Sequence, residues 1–289
     1  MANSITLGVV TYRNTNVEIL SMIERWSAQT RPIDQIFVVA NSELEDATPI
    51  RAVATVFDPE ENIGFAAGAN LLGREAQRTG ASHLLLVNID VEILSDALLA
   101  TLEGVFATTP NATFVSPAIT LWPDTSRIWY RGAHVARPIW VSRHPGINQP
   151  FTEPSGQINR TGYFSGCCVL IDLKRFNELG GFNESLFMYY DEADLALRAS
   201  AKGWHSYFVD LPMLAHEKPG RKFTPNESYW HARNSRLLLR QYEKGISFII
   251  GRLGQWLMAP VQITRCDSRA ARRAYLAGLC GQPAPVPKS

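Results

Sequence analysis

An excess of charge of either sign is the first thing this sequence lacks: 28 Lys and Arg stand against 27 Asp and Glu, a formal net charge of +1. So even a balance gives no general drive toward nucleic acid, and any such surface would have to be local. Cysteine is scarce as well. Cys167, Cys168, Cys266 and Cys280 fit no zinc-ligand spacing, and cysteines adjacent in sequence are poor disulfide partners. They read as reduced thiols of a cytoplasmic protein, Cys167 and Cys168 lying in a buried strand. Long apolar runs are missing too. The opening Met-Ala-Asn-Ser-Ile-Thr-Leu-Gly-Val-Val has neither the basic start nor the long apolar core of a signal peptide, and reads as a first strand. Residues 246–264 are apolar but broken by Gly251, Arg252, Gly254 and Pro260. The longest uncharged run there, Leu253 to Thr264, is shorter than the about 20 residues that a bilayer crossing needs.

What the chain does have is a 46% hydrophobic composition, enough for a sizeable core, and a strand–helix alternation. Ile5 to Tyr12 is a mostly apolar run with a polar end. Ile19, Met22, Ile23 and Trp26 follow the i, i+3, i+4, i+7 spacing of a helix that Asn14 or Asn16 could cap. Gln35 to Ala40 and Ala52 to Phe57 read as further strands, and His83 to Val87 as another. This rhythm predicts an α/β fold with a mostly parallel, mixed sheet between helices. Ligands of such sheets sit beyond the C-terminal ends of the strands, which points to Thr11, Tyr12, Asn41 and the residues after Phe57. Between Ala112 and Gly162 the pattern loosens, and Trp122, Trp129, Tyr130 and Trp140 there suit either packing or stacking on a sugar ring. Tyr163 to Asp172, His205 to Asp210 and Pro212 to Ala215 read as strands, and Asn226 to Glu243 as a long helix.

Three polar motifs sit at strand ends. In Asn62-Ile-Gly-Phe-Ala-Ala-Gly-Ala-Asn70, leading into a helix through about Arg78, Gly64 and Gly68 let backbone approach a ligand, and the helix start offers N–H groups to an anion. The plainer reading is a tight turn. The motif is neither a Walker loop nor a dinucleotide fingerprint, because no Gly-Lys-Ser/Thr follows and its glycines are four apart. Asn88-Ile-Asp90 closes the fourth strand, where a carboxylate suits a hard divalent cation bound with phosphate oxygens, or else caps the helix near Ser95 to Phe106. Leu186 to Arg198 brings Asp191, Glu192 and Asp194 to a helix start. Acids there complement the helix dipole, and Asp194 and Arg198 form an i,i+4 pair.

In this order the motifs resemble the family 2 glycosyltransferases of the GT-A fold, especially bacterial rhamnosyl- and galactosyl-type members. Val9-Val-Thr-Tyr12, Asn62 to Asn70, Leu86-Val-Asn-Ile-Asp90, Gly166 to Arg198, His216 with Gly220, and Tyr229-Trp-His-Ala-Arg-Asn-Ser-Arg236 carry the resemblance over roughly residues 5 to 245. It implies a metal-dependent, inverting transfer of a hexose or deoxyhexose from a nucleoside-diphosphate sugar to a hydroxyl of a glycan or polyprenyl-linked acceptor, as in polysaccharide and cell-envelope synthesis. Asp90 and His216 would hold Mg2+ or Mn2+ against the diphosphate. Thr11, Tyr12 and Asn41 would line the nucleoside pocket. Asn62, Gly64, Phe65, Gly68, Asn70 and Asn88 would lie along the nucleotide sugar, Gly166 beneath sugar and acceptor, and Arg221 on a basic loop with Lys218 and Lys222. Glu192 matches the catalytic base, with Asp191 its competitor. Two departures stand out. Ala40 replaces the family's usual Asp, which leaves the nucleoside open, and the usual Glu-Asp order is inverted at Asp191-Glu192.

These observations divide the chain into a transferase domain, 1–245, and a tail, 246–289. Arg265, Arg269, Arg272 and Arg273 are opposed there only by Asp267. The tail either lies on an anionic membrane surface, making the protein peripheral on the inner face of the cell membrane, or packs as a helical hairpin. Two other functions fit less well. A sugar nucleotidyltransferase would carry a glycine-rich basic loop after the first strand, and Thr11-Tyr-Arg-Asn14 lacks that glycine. A catalytically silent binding subunit accounts for Ala40 but not for the company of Asp90, Asp191, Glu192 and His216.

Overall fold

The computed structural model describes residues 3–217 and 222–284. Its first half is built from parallel strands β1 (Ile5–Thr11), β2 (Gln35–Ala40), β3 (Thr55–Phe57) and β4 (His83–Val87), joined through helices α1 (Asn16–Ser27), α2 (Thr48–Arg51) and α3 (Gly64–Arg78). α1 buries Ile19, Met22, Ile23 and Trp26, the set its periodicity marks. Its cap is Thr15 rather than Asn14 or Asn16. The Thr15 hydroxyl accepts from the Glu18 N–H while the Glu18 carboxylate accepts from the Thr15 N–H, a reciprocal pair that needs an acid three residues on. Only Thr15 has one.

Next come β5 (Val91–Ile93), α4 (Leu98–Thr108) and β6 (Ala112–Trp122), then short strands β7 (Ile128–Tyr130), β8 (His134–Ala136), β9 (Val141–Arg143) and β10 (Ile158–Thr161). β11 (Cys168–Asp172), α5 (Leu173–Glu178), a 3-10 turn (Glu184–Leu186), α6 (Asp191–Ala201) and β12 (His205–Glu217) complete the strand-bearing part, and α7 (Pro225–Tyr242), α8 (Gly245–Ile263) and α9 (Arg269–Cys280) follow. Among the described residues, ten strands share one mixed sheet in the order β10-β12-β6-β11-β4-β1-β2-β3, with β5 on β12 and β7 on β6, while β8 and β9 form a separate ribbon. β11 runs antiparallel between β4 and β6. β6 is buried from Ala112 through Leu121. A strand covered on both faces shows no alternation, so the loose pattern of that region conceals a central strand. β12 spans both stretches that the sequence separates at Leu211, with register shifts beside Pro212, which has no N–H for the ladder.

Helix α3 lies close to the sheet because its glycines leave room. A side chain at Gly68 would meet Val10, and one at Gly73 would meet Phe176. Asn70 is buried on the same helix. Its Oδ1 accepts from the Phe182 N–H at 2.7 Å, and its Nδ2 donates to the Phe182 carbonyl at 3.0 Å and to Glu184 at 2.9 Å. α6 is tied to the same loop: Arg198 pairs with Asp194 at 2.9 Å and donates to the carbonyls of Leu179 and Gly181. Tyr242 of α7 donates to the other Asp194 oxygen at 2.7 Å, so this acid braces two helices. α9 packs on α7 through Ala232, Ala271, Tyr275 and Leu279. α8 is one helix through the positions that the sequence reads as breaks. None of the described helices is long and apolar enough to cross a membrane.

Asn70→Ala would leave the Phe182 N–H and carbonyl unpaired inside the protein. Chemical denaturation should show a loss of about 2–3 kcal/mol, and a loss near zero would mean that water replaces the amide.

Candidate active site

The ends of β1, β2 and β4 lie along one edge of the sheet, and the loop before α3 closes over it. Thr11 is buried, its hydroxyl donating to the Val39 carbonyl, while Tyr12 is exposed with Arg13 over its ring. Asn41 joins strand end to loop: its Oδ1 accepts from the Ile63 N–H and its Nδ2 donates to the Gly64 carbonyl, both at 3.3 Å. The N–H groups at the start of α3 are not offered to an anion as the sequence suggests. Asn62 Oδ1 accepts from Gly64, and the Phe187 carbonyl accepts from Phe65 at 3.1 Å and Ala66 at 3.5 Å. Likewise the space that Gly64 leaves, at φ +80°, is filled by the Phe187 ring. The loop is thus welded to the segment that carries the acids.

That segment is strained. Phe187, Tyr189 and Tyr190 all have φ between 62° and 66°, a region that costs a non-glycine residue about 1–3 kcal/mol unless its surroundings over-determine it. Here they do. Asn234, wholly buried on α7, donates to the carbonyls of Leu186 and Met188 at 2.7 Å and of Tyr189 at 3.1 Å. Trp230, one turn earlier on α7, stacks on Phe187 at 4.9 Å. The Tyr190 hydroxyl donates to the Trp140 carbonyl at 2.9 Å. Sequence periodicity gave no sign of this role for Asn234, because a polar residue facing inward breaks the helical pattern it belongs to.

α6 starts directly after Tyr190. Asp191 is 1% exposed and its Oδ2 is buried without a hydrogen-bond partner. Burial, then the neighbouring charge and hydrogen bond of Glu192, push the Asp191 carboxyl well above its usual range. Glu192 is half-buried and lies against Gly166, where any side chain would collide with its Oε1. Burial raises the Glu192 carboxyl, an effect that hydrogen bonds from Asp191 and the Glu192 and Gly166 backbone partly oppose. Of the two acids, the one reaching the open side is Glu192.

Asp90 follows β4 and faces His216 near the end of β12, Oδ2 to Nε2, at 3.4 Å. His216 Nδ1 lies 2.9 Å from the Glu217 carbonyl. A carbonyl only accepts, so Nδ1 carries the hydrogen and the neutral ring turns its Nε2 lone pair toward a carboxylate. Two acceptors facing each other need a proton or a cation between them, and this backbone-anchored imidazole with a carboxylate is the arrangement a metal-binding histidine adopts. Burial raises Asp90 and lowers His216, but their hydrogen bond and opposite charges prevail, holding Asp90 below and His216 above the usual range. Trp129 stacks on the His216 ring at 4.5 Å and 21°, so this aromatic packs on the imidazole and helps to orient it. Among the described residues no third His, Cys, Asp or Glu joins them, so further ligands to a cation would come from a phosphate-bearing substrate and water. The fit to Mg2+ or Mn2+ is therefore that of a half-site.

The two acidic centres meet across one turn. The Asn88 N–H donates to the Cys167 carbonyl at 3.0 Å, and Gly166, the preceding residue, abuts Glu192. Asp90 and Glu192 are thereby fixed on either side of residues 166–168. Arg221, Lys218 and Gly220 lie outside the described residues. A separate cavity of about 700 Å3, lined by Arg31, His83, Glu103, Asp172 and Arg175, opens at the other end of the strands, away from the edge where such sheets bind ligands.

No family profile matches the chain. N-acetylglucosaminyl-diphospho-decaprenol L-rhamnosyltransferase of Mycobacterium tuberculosis is 26% identical over 270 residues, which cover 85% of this chain and 83% of that protein; the sequences from strains CDC 1551 / Oshkosh and ATCC 25618 / H37Rv match equally. Among solved structures, GalNAc-T7 with UDP, GalNAc and Mn2+ superposes with a TM-score of 0.68 at 11% identity, over 96% of this chain and 54% of its own. The present chain thus spans just over half of that protein. A mannosyltransferase from Pyrobaculum calidifontis in complex with GDP-Man and Mn2+ gives 0.57 at 16% identity, over 96% and 74%, and S. aureus TarS 1-349 gives 0.54 at 14%, over 95% and 71%. The chain is a glycosyltransferase of the GT-A fold. The resemblance read from its motifs stands, and the nucleotidyltransferase alternative falls away.

Two substitutions separate the parts of this glycosyltransferase. Gly166→Ala displaces only the far end of the Glu192 side chain, so it should lower kcat by about tenfold or more with little change in melting temperature. Asn234→Ala removes the side-chain donor shared by three carbonyls of a strained segment. It should lower both kcat and melting temperature, and a variant with unaltered stability would remove Asn234 from its clamping role.

Proposed function

We propose that this protein is a metal-dependent, inverting glycosyltransferase that moves a sugar from a nucleoside-diphosphate donor to a hydroxyl of a lipid-linked glycan. The observation that carries the proposal is the convergence of the Asp90–His216 pair and Glu192 on the turn at residues 166–168. The relative that acts on a decaprenol-diphosphate acceptor, and the neighbours that hold Mn2+ with UDP or GDP-Man, support the class of acceptor and cofactor. Rhamnosyl transfer is the first reaction to assay. A peripheral contact of residues 246–289 with the membrane that carries such an acceptor belongs to the same proposal.

Asp90 and His216 would hold Mg2+ or Mn2+. When bound, the cation would offset negative charge on the departing diphosphate. Glu192 takes the proton of the acceptor hydroxyl as its oxygen bonds to the anomeric carbon. The bond from that carbon to the diphosphate oxygen breaks on the opposite face, and its electron pair leaves with the nucleotide. One such displacement inverts the centre. Asp191 is buried, whereas Glu192 is half-buried and reaches the open side, so Glu192 is the carboxylate placed to meet an acceptor hydroxyl. A base with a raised pKa is also the better proton acceptor.

Glu192→Gln should reduce kcat by about 10²–10⁴-fold while donor binding, read by thermal stabilisation, persists. Near-normal turnover in Glu192→Gln together with its loss in Asp191→Asn would transfer the role to Asp191. In the unsubstituted enzyme, activity requires ionised Glu192. Because burial raises that group above 4.5, the acid limb of the kcat profile should lie above pH 4.5 and disappear in Glu192→Gln. An enzyme with no transfer from any nucleotide sugar, with Mn2+ present, would restore the silent-subunit alternative.

A further inference from the structure

Helix α8 carries a feature that no part of the transfer chemistry uses. Its inner face, with Gly251, Gln255, Ala259 and Gln262, is buried. Gly251 lies against Leu239 and the Pro138 carbonyl, Gly254 lies against Ile139, and Gln255 Nε2 donates to Ser235 Oγ at 2.9 Å. The opposite face is apolar for the whole helix. Ile246, Ile249, Ile250, Leu253, Leu257 and Val261 recur at three- and four-residue intervals, and Trp256 flanks the stripe. Leu257 is 79% exposed, Ile246 71% and Leu253 61%. Scattered exposed leucines are ordinary, but a stripe of this length along one helix marks a surface that something covers.

Charge decides between the occupants. Across residues 244–281 the cations are Lys244, Arg252, Arg265, Arg269, Arg272 and Arg273, and the only acid is Asp267. All except Arg252 are exposed. A second copy of the chain, docked through the same face, would set these cations against their own kind. An anionic lipid surface would meet the apolar stripe with acyl chains and the cations with phosphates.

We infer that α8 is an interfacial helix, lying in the headgroup–acyl boundary of an anionic bilayer with Leu253 and Leu257 inward and the α9 arginines on the headgroups. This deepens the lipid-linked-acceptor reading and rests on it for purpose, but not for its observation.

The test is co-sedimentation of the full chain with vesicles of phosphatidylglycerol and phosphatidylcholine, without donor or acceptor. Binding is expected to anionic vesicles and not to pure phosphatidylcholine, weakening as salt rises. Leu253→Glu with Leu257→Glu should lower the partition coefficient at least about tenfold, and so should Arg272→Glu with Arg273→Glu. Turnover on an acceptor without its lipid tail should be unchanged in both, which shows that the variants fold. Wild-type protein remaining in the supernatant at low salt would overturn the inference. So would a dimer, seen by analytical ultracentrifugation, that Leu253→Glu with Leu257→Glu splits while vesicle binding is absent. Because binding is read without turnover, its failure with transfer intact refutes this surface alone, and intact binding without transfer refutes the proposed reaction alone.

Discussion

The carbonyl of Phe187 is the joint on which the site depends. It accepts from Phe65 and Ala66 at the start of α3, while its ring fills the gap at Gly64 and stacks on Trp230 of α7. One residue thereby links the loop at the donor-side strand ends, the segment leading to the acids, and the helix behind them. The backbone at Phe187, Tyr189 and Tyr190 sits in the left-handed region, which L side chains resist. The geometry persists because each carbonyl freed by that conformation has a fixed donor. This rigidity has a direct chemical use, since it sets where α6 begins and hence where Glu192 lies.

The electrostatics of the two centres are opposed in kind. Asp90 and His216 stabilise each other's charged forms, and Trp129 and the Glu217 carbonyl hold the imidazole in one orientation. Burial raises both Asp191 and Glu192; Glu192 raises Asp191 further, whereas the hydrogen bond from Asp191 partly opposes the rise of Glu192. A carboxylate facing the Nε2 lone pair of a backbone-anchored neutral imidazole suits a cation, whereas a carboxyl raised by burial suits taking up a proton. Both centres adjoin the short turn before β11, where Cys167 is buried and Gly166 admits the Glu192 carboxylate. The Cys167 thiol, raised well above its usual value by burial, stays a neutral packing group between them.

What could be read from the sequence was whatever repeats or stands at a strand end. The buried stripe of α1, the start of α6 and the Asp194–Arg198 pair follow from periodicity and spacing, and each is in place, whereas α3 begins at Gly64, inside the stretch Asn62 to Asn70 that reads as a loop leading into the helix. β6 was hidden because burial on both faces removes alternation and Thr113, Ser116, Pro117 and Thr120 interrupt its apolar run. Gly64 and Gly68 were legible as close approaches, but sequence cannot say what approaches; Phe187 and Val10 do. The clamp made by Asn234 and the stacking of Trp129 on His216 involve partners more than forty residues away. No local pattern encodes such a contact.

Helix α7 connects these levels. Asn234 holds the carbonyls of the strained segment, and the next residue, Ser235, accepts from Gln255 of α8 and donates to the Trp140 carbonyl. Adjacent residues on one helical turn thus contact the segment before Glu192 and the inner face of the apolar helix. A flexible linker would let the exposed face of α8 move independently of the site. Here the path from Glu192 to α8 runs through buried hydrogen bonds and packed side chains, so the two surfaces behave as parts of one rigid unit. Whatever covers the apolar face therefore also sets the height and tilt of the edge that carries Glu192, and under the proposed transfer to a lipid-anchored acceptor this would constrain which hydroxyl reaches that carboxylate.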